Sequence, residues 1–429
     1  MKTLKLITAI ALAAVLAACG GPDSPEPKPG PGPGPGPEPQ PQDTTTVTYP
    51  AIEGTFLQHW YTVSWDDTRW DAELDVLKEA GMTYLIYTPI KDGDNAADYN
   101  SLERCLKSAK KHGINVFVGP NYHGDWWSQG RDRNWLMARM DEGKAVISQI
   151  LSRFQTDYKD ALYGWYWDWE IDNLNWNTDS AKQLFVDAIN AILDVLPADM
   201  PLLFSPFTNP ALGSAAAYGN FWKEVLPKMH FRSGDILAPQ DCVGASKMTV
   251  ANVKGWFYQY KEAVATVDGL QLWGNVETFE QFSLSDGSHF ASAPMGRIIE
   301  QIEAVSKFAS KVVCFAYPHY QSPKAVLSQH HSAYLNYTKT GSAGTFPKPK
   351  AVSSANKEVG TGVALSWVLP TKDNADGFAI YKNSELYIKL QITPTQTPNS
   401  FFDYKGKAAD TYQIAVYNVL GEESNRVAF

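Results

Sequence analysis

Two carboxylates stand at the end of an aromatic stretch, Leu162–Asp172, which reads LYGWYWDWEID. The pattern predicts a strand, and because side chains alternate faces along a strand, Asp168 and Glu170 are expected to point the same way. Tryptophan faces stack on the apolar faces of pyranose rings, and paired carboxylates supply the groups that cleave a glycosidic bond. The alternative is a buried strand whose acids pair with Arg or Lys. The stretch favours sugar chemistry.

Two further acids follow later apolar runs. Glu277 lies near the end of Leu270–Thr278, and Asp241 ends the run before it. Glycoside hydrolysis needs one carboxylic acid that protonates the leaving oxygen and a second carboxylate that acts as nucleophile or base. We expect Glu170 and Glu277 to be this pair, with Asp168 as a competitor for Glu170. Asp241 could hold sugar hydroxyls, tune the acid or replace one member, or it could simply cap the following turn. For Glu277 the alternative is a structural salt bridge. A carboxyl separation of about 5–5.5 Å predicts retention of configuration, and about 6.5–9.5 Å predicts inversion.

Alternating strand and helix patterns between residues 50 and 345 must position these acids. The predicted strands are Gly54–Trp60, Met82–Pro89, Asn115–Pro120, Leu162–Asp172, Leu202–Phe207, Asp235–Asp241, Leu270–Thr278 and Lys311–Tyr317. Eight strand–helix pairs in roughly 290 residues predict an α/β fold, the (β/α)8 TIM barrel. An open doubly wound sheet is the alternative, but the Gly-rich phosphate turn that usually follows its first strand is missing from the sequence.

Active sites of such barrels lie at the C-terminal ends of the strands, so the residues there are candidate substrate-binding groups. They are amides, histidines and aromatic side chains: His59, Trp60, Asn121, Tyr122, His123, Trp126, Trp127, Gln240, Asn275, Tyr317 and His319. Trp126 and Trp127 lie in a predicted loop and are the pair most typical of a sugar platform. The histidines lack HxH or HExxH spacing, so we predict hydrogen bonds to substrate hydroxyls, with no metal and no cofactor.

The beginning of the chain predicts export. Residues 1–19 combine Lys2 and Lys5 with a short apolar run and a Leu-Ala-Ala-Cys motif that ends at Cys19. This resembles a bacterial lipoprotein signal, which implies cleavage before Cys19 and lipid attachment to it; an ordinary signal peptide is the alternative. Residues 20–49 are rich in Pro and Gly and predict an extended tether. We therefore expect a protein anchored by lipid to the outer membrane and facing the cell exterior.

Residues 346–429 have a different composition. Val363–Trp367 and Gly377–Tyr381 alternate apolar and polar residues, and no helix pattern is present. The segment predicts a small all-β sandwich and resembles a fibronectin type III module, with Trp367 as the buried tryptophan and Tyr412 at a tyrosine-corner position. Such a module is more often a spacer or brace than a binding site.

Residues 50–340 resemble a family of lipoprotein-borne, glycosidase-like TIM-barrel domains of unknown function. The stretches that carry the resemblance are Gly54–Trp60, Gly119–Tyr122, Gly164–Glu170, Ala238–Gly244 and Gly274–Glu277. The positions of Glu170 and Glu277 also resemble retaining glycosidases with the acid/base on strand four and the nucleophile on strand seven. In those enzymes asparagine usually precedes the strand-four glutamate, whereas Trp169 stands here. The resemblance implies a role in glycan handling and supplies no substrate.

The net charge of −9 argues against nucleic acid or other anionic polymers as the main ligand. Two functions then remain for a protein expected to be monomeric. One is a cell-surface glycoside hydrolase, and the other is a non-catalytic carbohydrate-binding lipoprotein on an inactivated barrel. A purely structural scaffold is disfavoured because acids and aromatic rings are predicted to crowd at one rim.

Overall fold

A computed structural model of the chain describes residues 48–429. The predicted signal peptide with Cys19, and the predicted tether up to residue 47, lie outside the described residues. Tyr49 already packs against the folded unit, with its ring centroid 6.3 Å from that of Tyr337. Within the described range, no helix has the length and apolar character needed to cross a bilayer.

Eight parallel strands close into a barrel. They are Gly54–Gln58, Tyr84–Thr88, Asn115–Val118, Leu162–Trp167, Leu202–Phe204, Ile236–Leu237, Gln271–Glu277 and Lys311–Phe315. Their apolar sequences fit strands that are covered on both faces. The first strand pairs in parallel with both the second and the eighth, so the barrel wall has no free edge. The predicted TIM barrel is confirmed, and the open doubly wound sheet is excluded.

Apolar layers lie on both sides of the barrel wall. Phe56, Phe117 and Trp273 fill the interior, and a larger core lies between the strands and the outer helices. The longer helices are Asp67–Glu79, Tyr99–His112, Arg133–Tyr158, Asp179–Leu193, Ala215–Val225, Val250–Val264, Met295–Val305 and Gln329–Thr340, with 3-10 turns at Pro210–Leu212 and Leu226–Lys228. Gly113 ends the helix Tyr99–His112 in the left-handed region, at φ 66°, where glycine meets no Cβ penalty.

Short elements at the C-terminal face depart from the predicted pattern. They are the helical turns His59–Thr62, Trp126–Gln129 and Tyr317–Tyr320, the paired strands Lys91–Asp92 and Asn121–Tyr122, and a hairpin of Phe279–Leu284 with Gly287–Ser292. The first strand therefore ends before His59, and Trp126 lies in a helical turn rather than a loop. Elements of two to four residues are too short to show an apolar period, so the sequence gives little sign of them.

Two antiparallel sheets follow the barrel. One contains Ser354–Val359, Val363–Val368 and Ser400–Asp403, and the other contains Glu385–Gln391, Gly377–Lys382, Tyr412–Tyr417 and Val427–Ala428. Trp367 is buried in the apolar core that they share, 5.1 Å from the ring of Phe378. The Tyr412 hydroxyl donates to Asp403 at 2.8 Å. The predicted all-β unit is confirmed, and its specific likeness to fibronectin type III stays a prediction.

Candidate active site

Glu277 is the last residue of the seventh barrel strand, and it is 3% exposed. Its Oε2 accepts a hydrogen bond from the backbone N–H of Ala245, in the loop after the sixth strand, at 2.6 Å. This loop can approach because residue 244 is glycine: a Cβ at Gly244 would lie 2.7 Å from the Cβ of Glu277. A backbone donor of this kind favours the charged form of the carboxylate.

Asp241 lies behind Glu277. It is fully buried, and its Oδ1 accepts the backbone N–H groups of Glu277 at 3.1 Å and Val243 at 3.2 Å. Its Oδ2 accepts from the side-chain amide of Gln301 at 2.5 Å. The expectation that Asp241 faces the mouth of the barrel is therefore corrected, and the contact with Val243 matches the turn-capping alternative. Asp241 positions Glu277 through its backbone.

Burial raises the pKa of two carboxyl groups in this corner, and neighbouring carboxylates raise one of them further. Burial and then the charge of Asp241 raise the pKa of Glu277 to about 8, and the charge of Glu170 adds to the effect. Burial raises the pKa of Asp241 to about 6. Arg297 donates to the main-chain oxygen of Glu277 at 3.3 Å, so its charge only partly offsets these effects. The protons of such a coupled group belong to the group rather than to one residue.

Glu170 lies beyond the fourth strand, which ends at Trp167. Its Oε1 accepts from the side-chain amide of Gln240 at 2.6 Å, and its main-chain oxygen accepts from the indole N–H of Trp126 at 2.9 Å. Desolvation raises the pKa of Glu170 to about 7, against the hydrogen bond from Gln240. No Lys or Arg in residues 48–429 forms an ion pair with the carboxylate of Glu170 or Glu277. The salt-bridge alternative therefore does not hold for either.

Asp168 has different hydrogen-bond partners from Glu170. Its carboxylate accepts from the Thr88 hydroxyl and from the backbone N–H of Asn121 at 3.2 Å, on the side of the second and third strands. Glycine is required at position 119, because a Cβ there would clash with this carboxylate. Glu170 accepts from Gln240, which follows the sixth strand, so the two acids find donors on opposite sides of the fourth strand. The charges of both raise the pKa of Tyr166 after burial does, and the expectation that they point the same way stays a prediction.

Two predicted substrate-binding side chains point into the protein instead. The Asn121 amide donates to the main-chain oxygen of Arg139, in the helix Arg133–Tyr158, at 2.9 Å. Tyr317 is fully buried, and its hydroxyl pairs with Nδ1 of His331 at 2.7 Å. Both residues lie beyond the end of their strands, where the chain turns toward the helical layer.

Only one of the two tryptophans predicted to form a sugar platform is exposed. Trp127 is 40% exposed, but Trp126 is 4% exposed and stacks on Trp176 with ring centroids 5.2 Å apart. Successive residues on a helical turn point about 100° apart, so the two indoles cannot share a face. Trp60, on the turn after the first strand, is 36% exposed at the same end of the barrel.

Two of the predicted histidines are held by protein groups. His59 Nε2 lies 3.0 Å from the carboxylate of Asp98, and the ring of His123 packs edge-on against Trp135 at 5.8 Å. In the part of the chain that the structure describes, no cluster of three or more His, Cys, Asp or Glu side chains could hold a metal ion.

Three polar groups near the acids complete the predicted set. Gln240 bridges Glu170 and the main-chain oxygen of Ser205, at 2.6 and 3.1 Å. Asn275 donates to the Ser205 hydroxyl at 3.1 Å, and its Oδ1 has no partner among residues 48–429. The buried hydroxyl of Tyr122 likewise lacks a partner there, and the charge of Glu170 is among the causes that raise its pKa.

His319 forms part of an aromatic corner that the sequence analysis missed. Its ring lies 4.3 Å from that of Tyr61, which is 41% exposed. Desolvation lowers the pKa of His319 to about 4, so the ring is neutral at pH 7. Tyr320 lies 5.8 Å from His319. The signal for Tyr61 was its place beside Trp60 on one rim turn.

The supports of Glu277 were also missed. Arg297 and Gln301 are four residues apart on the helix Met295–Val305, which places them on one face of it. Gln301 is fully buried among apolar neighbours, and an amide inside an apolar helix face is a readable signal of a polar partner. The identity of that partner, Asp241, depends on the closed barrel.

The closed eight-stranded barrel, with one glutamate beyond its fourth strand and another at the end of its seventh, is a TIM barrel. A family described as a domain of unknown function, DUF4434, matches residues 52–327, and the chain belongs to this family. No curated protein matches it.

Solved structures share the fold. A proposed alpha-L-fucosidase from Bacteroides thetaiotaomicron VPI-5482 superposes with a TM-score of 0.57 at 20% identity, over 71% of this chain and 99% of that one. An intracellular xylanase from Thermoanaerobacterium saccharolyticum gives 0.41 at 13% identity, over 63% and 86%. An endo-1,4-beta-mannanase from Rhizomucor miehei gives 0.44 at 11% identity, over 63% and 86%. The first of these similarities shows the fold and leaves the activity to the site.

Proposed function

We propose that this protein is a glycoside hydrolase that cleaves a poly- or oligosaccharide at the C-terminal face of its barrel. The observation that carries the proposal is the pair Glu170 and Glu277, which lie in one electrostatic environment without a cationic partner. Each has one oxygen held by a neutral N–H donor. The other oxygen of each accepts no hydrogen bond from residues 48–429, which leaves it available to a substrate.

Strand position assigns the two roles, because the retaining glycosidases that the chain resembles carry the acid on strand four and the nucleophile on strand seven. Glu170 has a pKa of about 7 and a single side-chain amide donor, which suits an acid that is partly protonated at neutral pH. The N–H of Ala245 and the charge of Arg297 favour the Glu277 carboxylate that attacks, but burial and the charge of Asp241 outweigh them and raise the pKa of Glu277 to about 8. The reactive form, with the proton on Glu170 and the charge on Glu277, is therefore a minor fraction at neutral pH. In the proposed reaction Glu170 protonates the glycosidic oxygen while Glu277 attacks the anomeric carbon. Water, deprotonated by Glu170, then releases the sugar from Glu277 with net retention.

Exposed aromatic rings supply the binding surface in this proposal. Trp60, Tyr61 and Trp127 stand at the same end of the barrel as the acids, on the turns that follow the first and third strands. Their faces offer apolar area to pyranose rings, whose hydroxyls can meet Gln240 and Asn275.

A substrate screen tests the activity. The folded unit Tyr49–Phe429 is incubated with neutral and acidic plant and host polysaccharides, and new reducing ends are measured beside the Glu277→Gln variant. Release by the wild type alone supports the hydrolase, and proton NMR of the first product anomer then tests retention. If both forms bind a polysaccharide and neither releases reducing ends, the carbohydrate-binding alternative replaces the hydrolase proposal.

The proposal includes a place at the cell surface. The Leu-Ala-Ala-Cys motif at Cys19 and the Pro- and Gly-rich residues 20–49 support lipid anchoring to the outer face of the outer membrane. Metabolic labelling with a fatty acid should mark the wild type and not Cys19→Ala. Equal labelling would reject the anchor.

A further inference from the structure

The hairpin Phe279–Ser292 begins two residues after Glu277 and contacts the loop that holds it. The backbone N–H of Gln281 donates to the main-chain oxygen of Gly244 at 3.0 Å. Gly244 immediately precedes Ala245, whose N–H donates to the Glu277 carboxylate. The position of this donor therefore depends on where the hairpin lies.

The same hairpin is held from its other side by the C-terminal sandwich. The Lys389 ammonium lies 2.6 Å from the Glu280 carboxylate, and the Lys389 side chain is only 9% exposed. Gln391, two residues along the same strand, accepts the backbone N–H of Ser292 at 3.2 Å. Phe282, with Leu284 beside it, packs against the apolar core of the sandwich. An ion pair with so little exposure is screened less by solvent than a surface pair.

Charge balance links Lys389 to the supports of Glu277. Arg297 donates to the main-chain oxygens of Glu277 and Phe279. Burial lowers the pKa of Arg297, and the charge of Glu280 is the largest effect that opposes this, so the two groups lie within electrostatic reach. Without Lys389, Glu280 would keep a half-buried charge whose nearest strong partner is Arg297. Recruitment of Arg297 by Glu280 would loosen the carbonyls on both sides of Thr278.

We propose that the C-terminal sandwich positions Glu277 through this hairpin, with Lys389 of the sandwich as the positioning residue. The sandwich is thus part of the working site, although it contributes no group to the reacting atoms. The catalytic consequence rests on the proposed hydrolase function, whereas the mechanical link can be measured without any substrate.

The first test is hydrogen exchange on the full chain. Lys389→Met should speed amide exchange in the hairpin and also at residues 243–247, in the loop that the hairpin contacts. Lys372→Met is the matched control, because the exposed Lys372 side chain forms no ion pair in the described structure. Lys389→Arg keeps the charge and should restore slow exchange. Unchanged exchange at residues 243–247 in Lys389→Met would overturn the proposal, even if the hairpin itself loosened.

The second test uses the hydrolysed glycan. Lys389→Met should lower kcat about tenfold with KM within about twofold, because a displaced catalytic group affects the reaction more than ground-state binding. Glu280→Gln replaces Lys389→Met if the folded yield of the latter is poor: it removes the ion pair that holds the hairpin but leaves no charge to recruit Arg297, so we expect a smaller fall in kcat. Faster exchange in a protein that hydrolyses no glycan would reject the hydrolase and keep the link. Normal exchange with normal kcat would reject the link alone.

Discussion

Glu277 and Glu170 lie in corners of the site that are built differently. Glu277 ends a strand and is held through backbone N–H groups. The N–H of Ala245 donates to its carboxylate, and the N–H of Glu277 itself donates to the carboxylate of Asp241. Glu170 lies beyond the end of its strand and has one side-chain donor, Gln240, in an aromatic setting. The corner around Glu277 is polar and is held through backbone groups. The second depends on side-chain packing.

This difference bears on how one barrel can hold two glutamates in opposite roles. A backbone N–H cannot rotate away and always donates, so it favours a carboxylate throughout the reaction. A neutral side-chain amide in a desolvated setting leaves the acid form accessible near neutral pH. The two corners therefore differ in their hydrogen-bond donors, while burial raises the pKa of both glutamates.

The largest expected effect on turnover comes from a substitution of Glu277. Glu277→Gln keeps the shape and removes the charge, so we expect kcat to fall about 10⁴-fold while glycan affinity changes little. Reducing-end release and calorimetry measure the two quantities. Glu262→Gln, at an exposed position on the helix Val250–Val264, is the control. Turnover within tenfold of the wild type would remove Glu277 from the mechanism.

The effect of a substitution at Glu170 on kcat/KM should depend on the leaving group of the substrate. Glu170→Gln should lower kcat/KM for the natural glycan about 10²- to 10³-fold, because its leaving oxygen needs a proton. An aryl glycoside with an acidic phenol needs little protonation and should lose far less. An equal loss for both substrates would contradict the assignment of Glu170 as the acid and would return Asp168 as a candidate.

A smaller effect is expected from the rim beside each corner. Trp127→Ala should weaken glycan binding about tenfold, since an exposed ring contributes stacking area to a sugar without supporting the fold. Tyr61→Ala probes the corresponding ring beside His319. Calorimetric affinity and the melting temperature are measured together. Trp126→Ala should instead destabilise the protein by about 3–5 kcal/mol, as the loss of a buried tryptophan does. Unchanged affinity in Trp127→Ala would reject this ring as a platform.

The sequence predicts the barrel well because each strand is an apolar run that ends near a glycine, proline or polar residue. Glu277 could be placed because its strand continues through it, so its position follows from strand geometry. Asp168 and Trp126 could not be placed in the same way. Each lies just beyond a strand or in a helical turn, where the alternation of a strand no longer determines the direction of the side chain.

Contacts between distant segments were beyond prediction for a different reason. The pairing of Asp241 with Gln301, and of Glu280 with Lys389, joins residues 60 and 109 positions apart. No local pattern encodes such a pair, because it arises only when the barrel closes and the sandwich packs beside it. The residue types were visible in the sequence, and their partners were not.

The smallest expected effect tests the single side-chain donor of the second corner. The pKa values of the two glutamates, about 7 for Glu170 and about 8 for Glu277, lie close together, so the pH dependence of kcat/KM should be a narrow bell. The hydrogen bond from Gln240 lowers the pKa of Glu170, and Gln240→Met removes it. The pKa of Glu170 then rises toward that of Glu277, so both limbs of the bell move upward. Gln183→Met, at an exposed position on the helix Asp179–Leu193, should leave both limbs in place. Limbs that both stay in place in Gln240→Met would mean that Glu170 is not one of the two groups that titrate, and the proposed contrast between the two corners would fail.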